Sequence, residues 1–466
     1  MRVAAIDQGT TSTRAIVYED GVTPCIAHSI QHRQIYPRAG WVEHDPLELL
    51  ANIRTCLAAA GPVDAIGIAN QGESCLAWDA VSGEPLSPII VWQDNRTNDI
   101  ILKLQAAGAE PEVNARAGLP LDCYFSASKL AWILQNSDGA RQALKAGRLR
   151  LGTTDSFFLE RLTDVFATDA TTASRTSLMD LKTLDWDPVL CDIFSIPVET
   201  LAPIQPTTSL FGHIDGVPVT ASVVDQQAAL YGHGCRNAGD AKITFGTGAF
   251  ALAITDSEEQ GSQTAGLIRT VAWQSATATR YALEGGVYDV GSVIEWAMRI
   301  GMLDKLADLA GFHAPAALSR GLAFVPALSG LACPQWDRQA AGLWIGMTTA
   351  TTRQDLQQSL LEGIAMQTRE VLGVLDKAIG LSRRISVDGG LTASPYFLQF
   401  LANCTGRTIA RRSNAELTAY GCALLAGLSK TAEGLETDTE YHPDPAFADC
   451  ADTYADALKR CLSWPH

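Results

Sequence analysis

Two stretches far apart in the chain share one arrangement: an apolar strand, a loop of glycine and hydroxylated residues, and a second apolar strand. The first is AAIDQGTTSTRAIVYEDG at residues 4–21, and the second is DAKITFGTGAFALAIT at residues 240–255. Each pattern predicts a β-hairpin with a glycine-containing tip. A hairpin alone would not need Asp7 at the end of its first strand, nor so many hydroxyls. These features also suit a loop that binds an anion beside a carboxylate that holds a metal ion.

The segments around these hairpins alternate between strand and helix patterns. DPLELLANIRTCLAAAG has Asp45 at a cap position and Pro46 at the first helical position, and its apolar residues recur at helical spacing. The apolar strand VDAIGIAN follows directly and ends in polar residues. This order predicts an α/β fold with functional residues at strand ends. Because the second half repeats the theme, we expect a duplicated architecture with a cleft between two halves.

Composition limits the classes of function. The chain has 466 residues, of which 47% are hydrophobic and 18% charged, so we expect a globular protein with at least two domains. The net charge of −16 argues against nucleic acid as a partner, because it repels phosphodiester backbones.

Cysteine spacing and hydropathy bear on the compartment. The 11 cysteines include no CxxC pair, which favours reduced thiols over a disulfide framework or a metal cluster. No pattern typical of a signal peptide or a membrane span is found. We therefore expect a cytoplasmic protein with no membrane partner.

Several sequence blocks, in order, resemble the FGGY family of carbohydrate kinases, and among its members the glycerol kinases most. They extend from residue 3 to about residue 427 and include IDQGTTSTRAIV, IYPRAGWVEHDP, YFSASKLAWIL, DQQAALYG, FGTGAFAL and VDGGLTASPYFLQF. The resemblance implies an α/β fold of two actin-like, ribonuclease H-like ATPase domains with a nucleotide- and substrate-binding cleft between them. It also implies an ATP-dependent kinase that transfers the γ-phosphoryl group of Mg·ATP to a primary hydroxyl of a small polyol or sugar.

The resemblance divides the chain into three parts. Residues 1–235 would be the N-terminal kinase domain, with the first phosphate loop, the acceptor pocket and the catalytic aspartate. Residues 236–430 would be the C-terminal domain, with the second phosphate loop and the adenosine pocket. Residues 431–466 are expected to form an acidic tail packed on the surface. The sequence leaves a homodimer open.

A nucleotide site follows from the same resemblance. Asp7 and Asp225 would hold Mg²⁺ through water. Glycerol kinases have glutamine where this chain has Glu295, and asparagine where it has Ser394. The residues implied to bind the nucleotide are Thr10, Thr11, Ser12, Arg14, Thr247, Gly248, Gly291, Glu295, Gly390 and Ser394.

Asp225, in VVDQQAAL, is implied as the catalytic base that accepts the proton of the attacking hydroxyl. Its place before a run of helix formers would also suit a helix cap. Arg175 is expected to form a structural ion pair. The residues implied to bind the acceptor are Gly72, Glu73, Trp92, Tyr124, Asp225, Gln226 and Phe250, although Trp92 and Phe250 taken singly are typical core aromatics.

One position departs from the glycerol kinase pattern at the acceptor. Those enzymes have Asn-Gln-Arg-Glu-Thr where this chain has Asn70-Gln71-Gly72-Glu73-Ser74. The missing arginine grips acceptor hydroxyls, so the acceptor is expected to be larger than glycerol, such as a tetritol, a pentitol or a ketose. One alternative is a true glycerol kinase that makes sn-glycerol 3-phosphate. An alternative from another class is a catalytically inactive, nucleotide-gated sugar sensor or binding protein.

Overall fold

The computed structural model describes residues 1–261, 266–309, 311–312, 315–414, 416–429, 438–447 and 450–462. These residues form two compact units. The first contains Met1–Gly234, Arg269–Tyr281 and the described part of Glu416–Leu435. The second contains the described parts of Cys235–Ile268, Ala282–Ala415 and Glu436–His466. The chain therefore first changes unit between Gly234 and Cys235.

The strands are short, and most belong to two large sheets. Their bounds are β1 (Arg2–Gln8), β2 (Ser12–Glu19), β3 (Val22–Gln31), β4 (Glu43–His44), β5 (Ala65–Asn70), β6 (Cys75–Asp79), β7 (Ile89–Ile90), β8 (Leu149–Thr153), β9 (Thr168–Asp169), β10 (Met179–Asp180), β11 (Asp185–Trp186), β12 (Ile204–Gln205), β13 (His213–Ile214), β14 (Val217–Val224), β15 (Ala241–Phe245), β16 (Ala249–Thr255), β17 (Ile268–Gln274), β18 (Thr279–Val287), β19 (Ala323–Val325), β20 (Leu343–Ile345), β21 (Arg384–Gly389), β22 (Thr408–Arg411) and β23 (Thr439–Tyr441).

The helices vary more in length than the strands. Their bounds are α1 (Pro46–Ala60), α2 (Asn98–Ala106), α3 (Glu110–Ala117), α4 (Ser126–Asn136), α5 (Asp138–Lys145), α6 (Thr154–Thr163), α7 (Ala170–Ala173), α8 (Pro188–Phe194), α9 (Asp225–Gly232), α10 (Gly291–Arg299), α11 (Arg353–Ile379), α12 (Pro395–Thr405), α13 (Leu417–Leu425) and α14 (Ala451–Cys461).

The first unit is built on a six-stranded sheet with the order β13-β14-β5-β1-β2-β3. The predicted first hairpin is confirmed, since β1 and β2 pair antiparallel with Asp7 opposite Arg14. The predicted helix start is also confirmed: Asp45 caps α1 and accepts hydrogen bonds from the N–H groups of Leu47 and Glu48. Strands β1, β5 and β14 run parallel to one another, so their carboxyl ends lie at one edge.

The second unit repeats this plan with the strand order β16-β15-β21-β22-β23, which is part of a seven-stranded sheet. The second predicted hairpin is confirmed by the antiparallel pair β15–β16, and β15 runs parallel to β21. The long helix α11 begins at a capping box of Thr352 and Asp355. Leu360, Ile364 and other apolar residues at helical spacing are buried in the core of this unit.

The segment at residues 431–466, expected to form an acidic tail packed on the surface, contains the amphipathic helix α14. Within the described ranges 438–447 and 450–462, Tyr454, Ala457, Leu458 and Cys461 of α14 belong to the hydrophobic core of the second unit. The acidic composition of the segment concealed this, because the apolar residues recur at helical spacing among charges. The other face of α14, with Asp456 and Arg460, is exposed, so the helix lies at the surface with one face packed on this core.

All 11 cysteines lie in the described part of the chain, and none forms a disulfide, as expected. Within the described ranges, no helix combines the length and the apolar character needed to cross a membrane.

A pair of fully buried carboxylates, Asp155 and Asp169, lies in the first unit. Asp155 accepts hydrogen bonds from the hydroxyls of Thr153 and Thr168, at 2.6 and 2.7 Å. Burial first, and the charge of Asp169 second, raise the pKa of Asp155 from 3.8 to about 6. The folded state therefore gains stability from this group below about pH 4 and loses it as the pH rises through about 6.

Asp155→Asn should remove the free-energy cost of holding a charged carboxylate at this buried position at neutral pH. We expect the free energy of unfolding of the variant, relative to the wild type, to rise by about 1–3 kcal/mol between pH 4 and pH 8. Urea titrations of both proteins at the two pH values measure the difference. A rise of the same size in Asp192→Asn, which removes an exposed carboxylate from α8, would contradict the assignment to burial.

Candidate active site

Three chain segments meet where the parallel strands of the first unit end. Gln8, Asn70 and Val224 are in register at the carboxyl ends of β1, β5 and β14. The first hairpin tip follows β1, the turn at Gly72 and Glu73 follows β5, and Asp225 follows β14 directly. Because functional residues of α/β proteins lie at such strand ends, this edge is the candidate acceptor site.

The first hairpin tip is fixed by hydrogen bonds to Thr10. Trp92 donates from its indole N–H to the Thr10 hydroxyl at 3.0 Å, and Gln34 donates to the Thr10 carbonyl at 2.8 Å. Within the tip, the Gly9 N–H donates to the Ser12 carbonyl at 3.0 Å. Thr11 is exposed. These hydrogen bonds define the backbone conformation of the tip.

Arg14 and Asp7 face each other on this hairpin, and a third residue joins them. Arg14 Nη1 lies 3.0 Å from both carboxylate oxygens of Glu416. Burial, opposed by Arg14 and reinforced by Glu416, raises the pKa of Asp7 to about 6. The structure therefore places the predicted phosphate ligand Arg14 in an ion pair. No motif in the sequence pointed to Glu416, which lies 402 positions from Arg14.

Glu73 has the most constrained backbone among the predicted acceptor residues. Its φ of 58° lies in the left-handed region, which is costly for a residue other than glycine and clusters at functional sites. Its carboxylate accepts a hydrogen bond from Arg175 Nε at 2.5 Å, and its carbonyl accepts one from the Ser126 hydroxyl at 2.9 Å. The expected ion pair of Arg175 is thus confirmed, and its partner is a predicted acceptor residue.

Two aromatic residues lie beside this ion pair. The rings of Trp92 and Tyr124 are 5.7 Å apart and nearly perpendicular, and the Tyr124 hydroxyl is 3.5 Å from Arg175 Nη2. The fully buried Lys129 donates to the carbonyls of Cys123 and Tyr124, both at 2.6 Å. The structure therefore brings Trp92, Tyr124 and the Glu73 ion pair together. Sequence reasoning gave Lys129 no role, although a lysine amid the apolar residues of α4 was a visible signal.

Gly72 and Asp225 come from neighbouring strand ends. A Cβ added at Gly72 would lie 3.2 Å from Val224 Cγ1, so Val224 would have to shift by a few tenths of an ångström. Val224 holds the cap position of α9, and Asp225 is the first helical residue. The alternative interpretation of Asp225 as a helix cap is therefore wrong. Its Oδ1 accepts a hydrogen bond from the Gln226 N–H at 2.6 Å.

In the second unit, the predicted phosphate loop contacts the start of α10. The N–H groups of Val290 and Gly291 donate to the carbonyls of Thr247 and Gly246, each at 3.0 Å. A Cβ at Gly248 would lie 2.6 Å from the Val287 carbonyl, and one at Gly291 would lie 2.6 Å from the Gly246 carbonyl. Both positions therefore require glycine for this close packing.

The other predicted residues of the second unit differ in exposure. Glu295 on α10 and Gly390 after β21 are exposed, and Phe250 lies partly buried on β16. Ser394 is 6% exposed, and its hydroxyl donates to the Leu309 carbonyl at 2.8 Å and caps α12 by accepting from the Phe397 N–H. The Ser394 hydroxyl thus forms its two hydrogen bonds with the protein backbone.

The carboxylates of Asp7 and Asp225 suit a magnesium ion. Among the described residues, no group of three or more histidine, cysteine, aspartate or glutamate side chains is arranged as a metal site. Mg²⁺ needs no such cage, because it is usually bound by one or two carboxylates together with water and substrate phosphates. The raised pKa of Asp7 marks a poorly solvated carboxylate that a cation would stabilise. Asp7 thus fits the ion by its poor solvation, and Asp225 fits it by the chemistry of its carboxylate.

Comparison with known proteins decides the family. The N-terminal domain of the FGGY family of carbohydrate kinases matches residues 2–232, and the C-terminal domain matches residues 241–429. The chain belongs to the FGGY family. It is an ATP-dependent kinase that phosphorylates an alcohol, and the predicted family and two-domain kinase fold are confirmed.

Curated relatives and solved structures agree with this membership. The chain is 39% identical over 458 residues to a glycerol kinase of Saccharopolyspora erythraea, covering 94% of this chain and 91% of the relative. It is 40% identical over 493 residues to one of Methylorubrum populi, covering 99% and 98%. Plasmodium falciparum glycerol kinase with ADP matches with a TM-score of 0.91 at 30% identity, covering 100% of this chain and 99% of that one. A xylulose kinase from Lactobacillus acidophilus, with a TM-score of 0.84 at 23% identity and 98% and 96% coverage, shares the fold.

Proposed function

We propose that this kinase transfers the γ-phosphoryl group of Mg·ATP to a primary hydroxyl of a small polyol or sugar bound beside Asp225. The observation that carries the proposal is the carboxyl edge of the first sheet, where the hairpin tip, Glu73 and Asp225 follow neighbouring parallel strands. In this proposal Asp225 accepts the proton of the attacking hydroxyl, and Asp7 and Asp225 hold Mg²⁺ through water. The charge of the ion would neutralise the phosphates.

The nucleotide contacts are part of the same proposal. Hydroxyls and N–H groups at the tips of the two hairpins would bind phosphates, because such loops present several donors together. The remaining proposed residues would line the nucleoside pocket. The proposed contacts are Thr10, Thr11, Ser12 and Arg14 on the first tip, Thr247 and Gly248 on the second, and Gly291, Glu295, Gly390 and Ser394 elsewhere.

The acceptor is proposed to be larger than glycerol. Gly72 supplies no side chain at the position where the sequence resemblance implies an arginine, and the nearby Arg175 is paired with Glu73. Loss of a charged donor to a hydroxyl weakens binding by about 1.5–3 kcal/mol. Glu73, Trp92, Tyr124, Gln226 and Phe250 would still offer polar groups for hydroxyls and aromatic faces for a carbon chain.

The second candidate is a true glycerol kinase that makes sn-glycerol 3-phosphate. It is favoured by the relatives, which are named glycerol kinases at about 40% identity over nearly the whole chain. Coupled ADP release with Mg·ATP and polyols and ketoses of increasing length separates the two candidates. A longer acceptor with the highest kcat/KM supports the proposal, and glycerol with the highest supports the second candidate. ADP binding without turnover of any acceptor would indicate the inactive sensor.

Gly72→Arg tests whether this position sets the preference. We expect the ratio of kcat/KM for glycerol to that for the preferred longer acceptor to rise by roughly ten- to a hundredfold, because a charged donor is restored. Gly72→Ala is the matched control, since it adds the Cβ near Val224 without a guanidinium. An equal change of the ratio in both variants would show that bulk, and not charge, sets the preference.

A further inference from the structure

A closed ring of hydrogen bonds in the first unit joins the hairpin tip to the turn at Gly72. One arm starts at the Thr10 carbonyl, which accepts from Gln34 Nε2 at 2.8 Å. The other arm starts at the Thr10 hydroxyl, which accepts from Trp92 Nε1 at 3.0 Å. The members of the ring are Thr10, Gln34, His44, Gln71, Ser74 and Trp92.

The two arms meet at Gln71, next to Gly72. On the first arm, His44 Nε2 lies 2.9 Å from Gln34 Oε1, and His44 Nδ1 lies 3.3 Å from Gln71 Nε2. On the second, the Trp92 backbone N–H donates to the Ser74 hydroxyl at 3.1 Å, and that hydroxyl donates to Gln71 Oε1 at 3.2 Å. Every member of the ring therefore bonds to two others.

Burial makes these bonds costly to lose. His44, Gln71 and Ser74 each have no exposed surface. A buried polar atom whose partner is removed is left without a hydrogen bond, and water cannot easily replace the partner. The turn carrying Glu73 is also strained at its positive φ, and such a conformation persists only when its surroundings impose it.

The two amide side chains determine the state of His44. Gln34 uses its NH₂ group for the Thr10 carbonyl and Gln71 uses its NH₂ group toward His44, so the His44 Nε2–H donates and Nδ1 accepts. Burial and the adjacent His32 lower the pKa of His44 to about 3, which keeps the His44 imidazole neutral. The position between Gln34 Oε1 and Gln71 Nε2 therefore requires a group with one donor and one acceptor, and a neutral imidazole supplies both.

We propose that His44 is a positioning residue that fixes the spacing between the phosphate-binding tip at Thr10 and the acceptor turn at Gly72 and Glu73. This inference rests on the proposed function, because the spacing matters only if both segments bind substrates of one reaction. Phosphoryl transfer needs the acceptor oxygen about 3–3.5 Å from phosphorus, and a misplacement of about 1 Å can cost a hundredfold in rate.

The first test compares His44→Asn with His44→Gln. An asparagine can keep the acceptor near Nδ1 but loses the donor to Gln34, whereas a glutamine can keep the donor but loses the acceptor for Gln71. For both we expect kcat to fall about ten- to a hundredfold, KM values to stay within about threefold, and the fraction of ATP hydrolysed without acceptor phosphorylation to rise. A purely structural role would reduce the folded fraction and leave this coupling ratio unchanged.

The second test uses the closure of the ring. Trp92→Phe removes the indole N–H from the other arm, so in either single variant one arm still joins the two segments. We therefore expect the loss of kcat in the double variant with His44→Asn to exceed the product of the single losses by about tenfold. A loss of kcat in the double variant equal to the product of the two single-variant losses would overturn the proposal.

Further variants separate the possible failures. Gln34→Met breaks the same arm at a partly exposed position, and it must reproduce the loss of coupling even if the His44 variants fail to fold. His28→Asn, at an exposed histidine of β3, must leave kcat and the coupling ratio unchanged.

If the wild type phosphorylates no acceptor, the proposed function fails and this inference fails with it. If the wild type is active and Gln34→Met and His44→Asn keep both kcat and the coupling ratio, only the positioning role is overturned.

Discussion

Asp225→Asn is expected to lower kcat by about 10²–10⁴-fold while changing the affinity for ADP by no more than about threefold. Asparagine has nearly the same shape as aspartate, but it cannot accept the proton of the attacking hydroxyl. It also removes one of the two carboxylates proposed to hold Mg²⁺. Steady-state kinetics with the preferred acceptor gives kcat, and calorimetric titration gives the affinity for ADP.

The size of the effect separates a base from a merely nearby charge. Asp225 is the first residue of α9, and the amide oxygen of asparagine can still accept the hydrogen bond from the Gln226 N–H. Asp192→Asn, the exposed control, should leave kcat unchanged. A loss of less than tenfold in Asp225→Asn would show that positioning and charge neutralisation carry the reaction without this carboxylate.

Local sequence patterns predicted the secondary structure around the candidate site where it depends on neighbouring residues. Asp45 and Pro46 gave the start of α1, and the alternation of apolar and hydroxylated residues gave both hairpins. Polar residues at the end of β5 pointed to the carboxyl edge of the sheet. These features are readable because caps, turns and strand ends depend on residue types within a few positions.

Contacts between distant residues could not be read in this way. The ion pair of Arg14 with Glu416 joins positions 402 apart, and the pair of Arg175 with Glu73 joins positions 102 apart. The hydrogen-bonded ring through His44 combines residues from five separate segments, none of which carries a motif for it. Each of these contacts depends on how segments far apart in the chain pack together, which local residue patterns do not specify.

The ion pair of Arg175 and Glu73 leads to the second large prediction. Arg175→Met should lower the free energy of unfolding by about 3–5 kcal/mol, because it leaves the Glu73 carboxylate buried without its cation. Both side chains are nearly inaccessible, at 3% and 5% exposure. Urea denaturation measures the loss. Arg460→Met is the matched control, since its pair with Asp456 on α14 is exposed and should contribute less than about 1 kcal/mol.

Removing both charges distinguishes stability from function at this pair. The double variant Arg175→Met with Glu73→Gln removes both charges of this pair, so most of the lost stability should return. Activity should not return with it, because the glutamine cannot replace the carboxylate that orients an acceptor hydroxyl. Recovery of both stability and kcat/KM would mean that the pair only supports the fold. Recovery of stability alone would place Glu73 in contact with the acceptor, with Arg175 as the residue that holds its carboxylate in the strained turn.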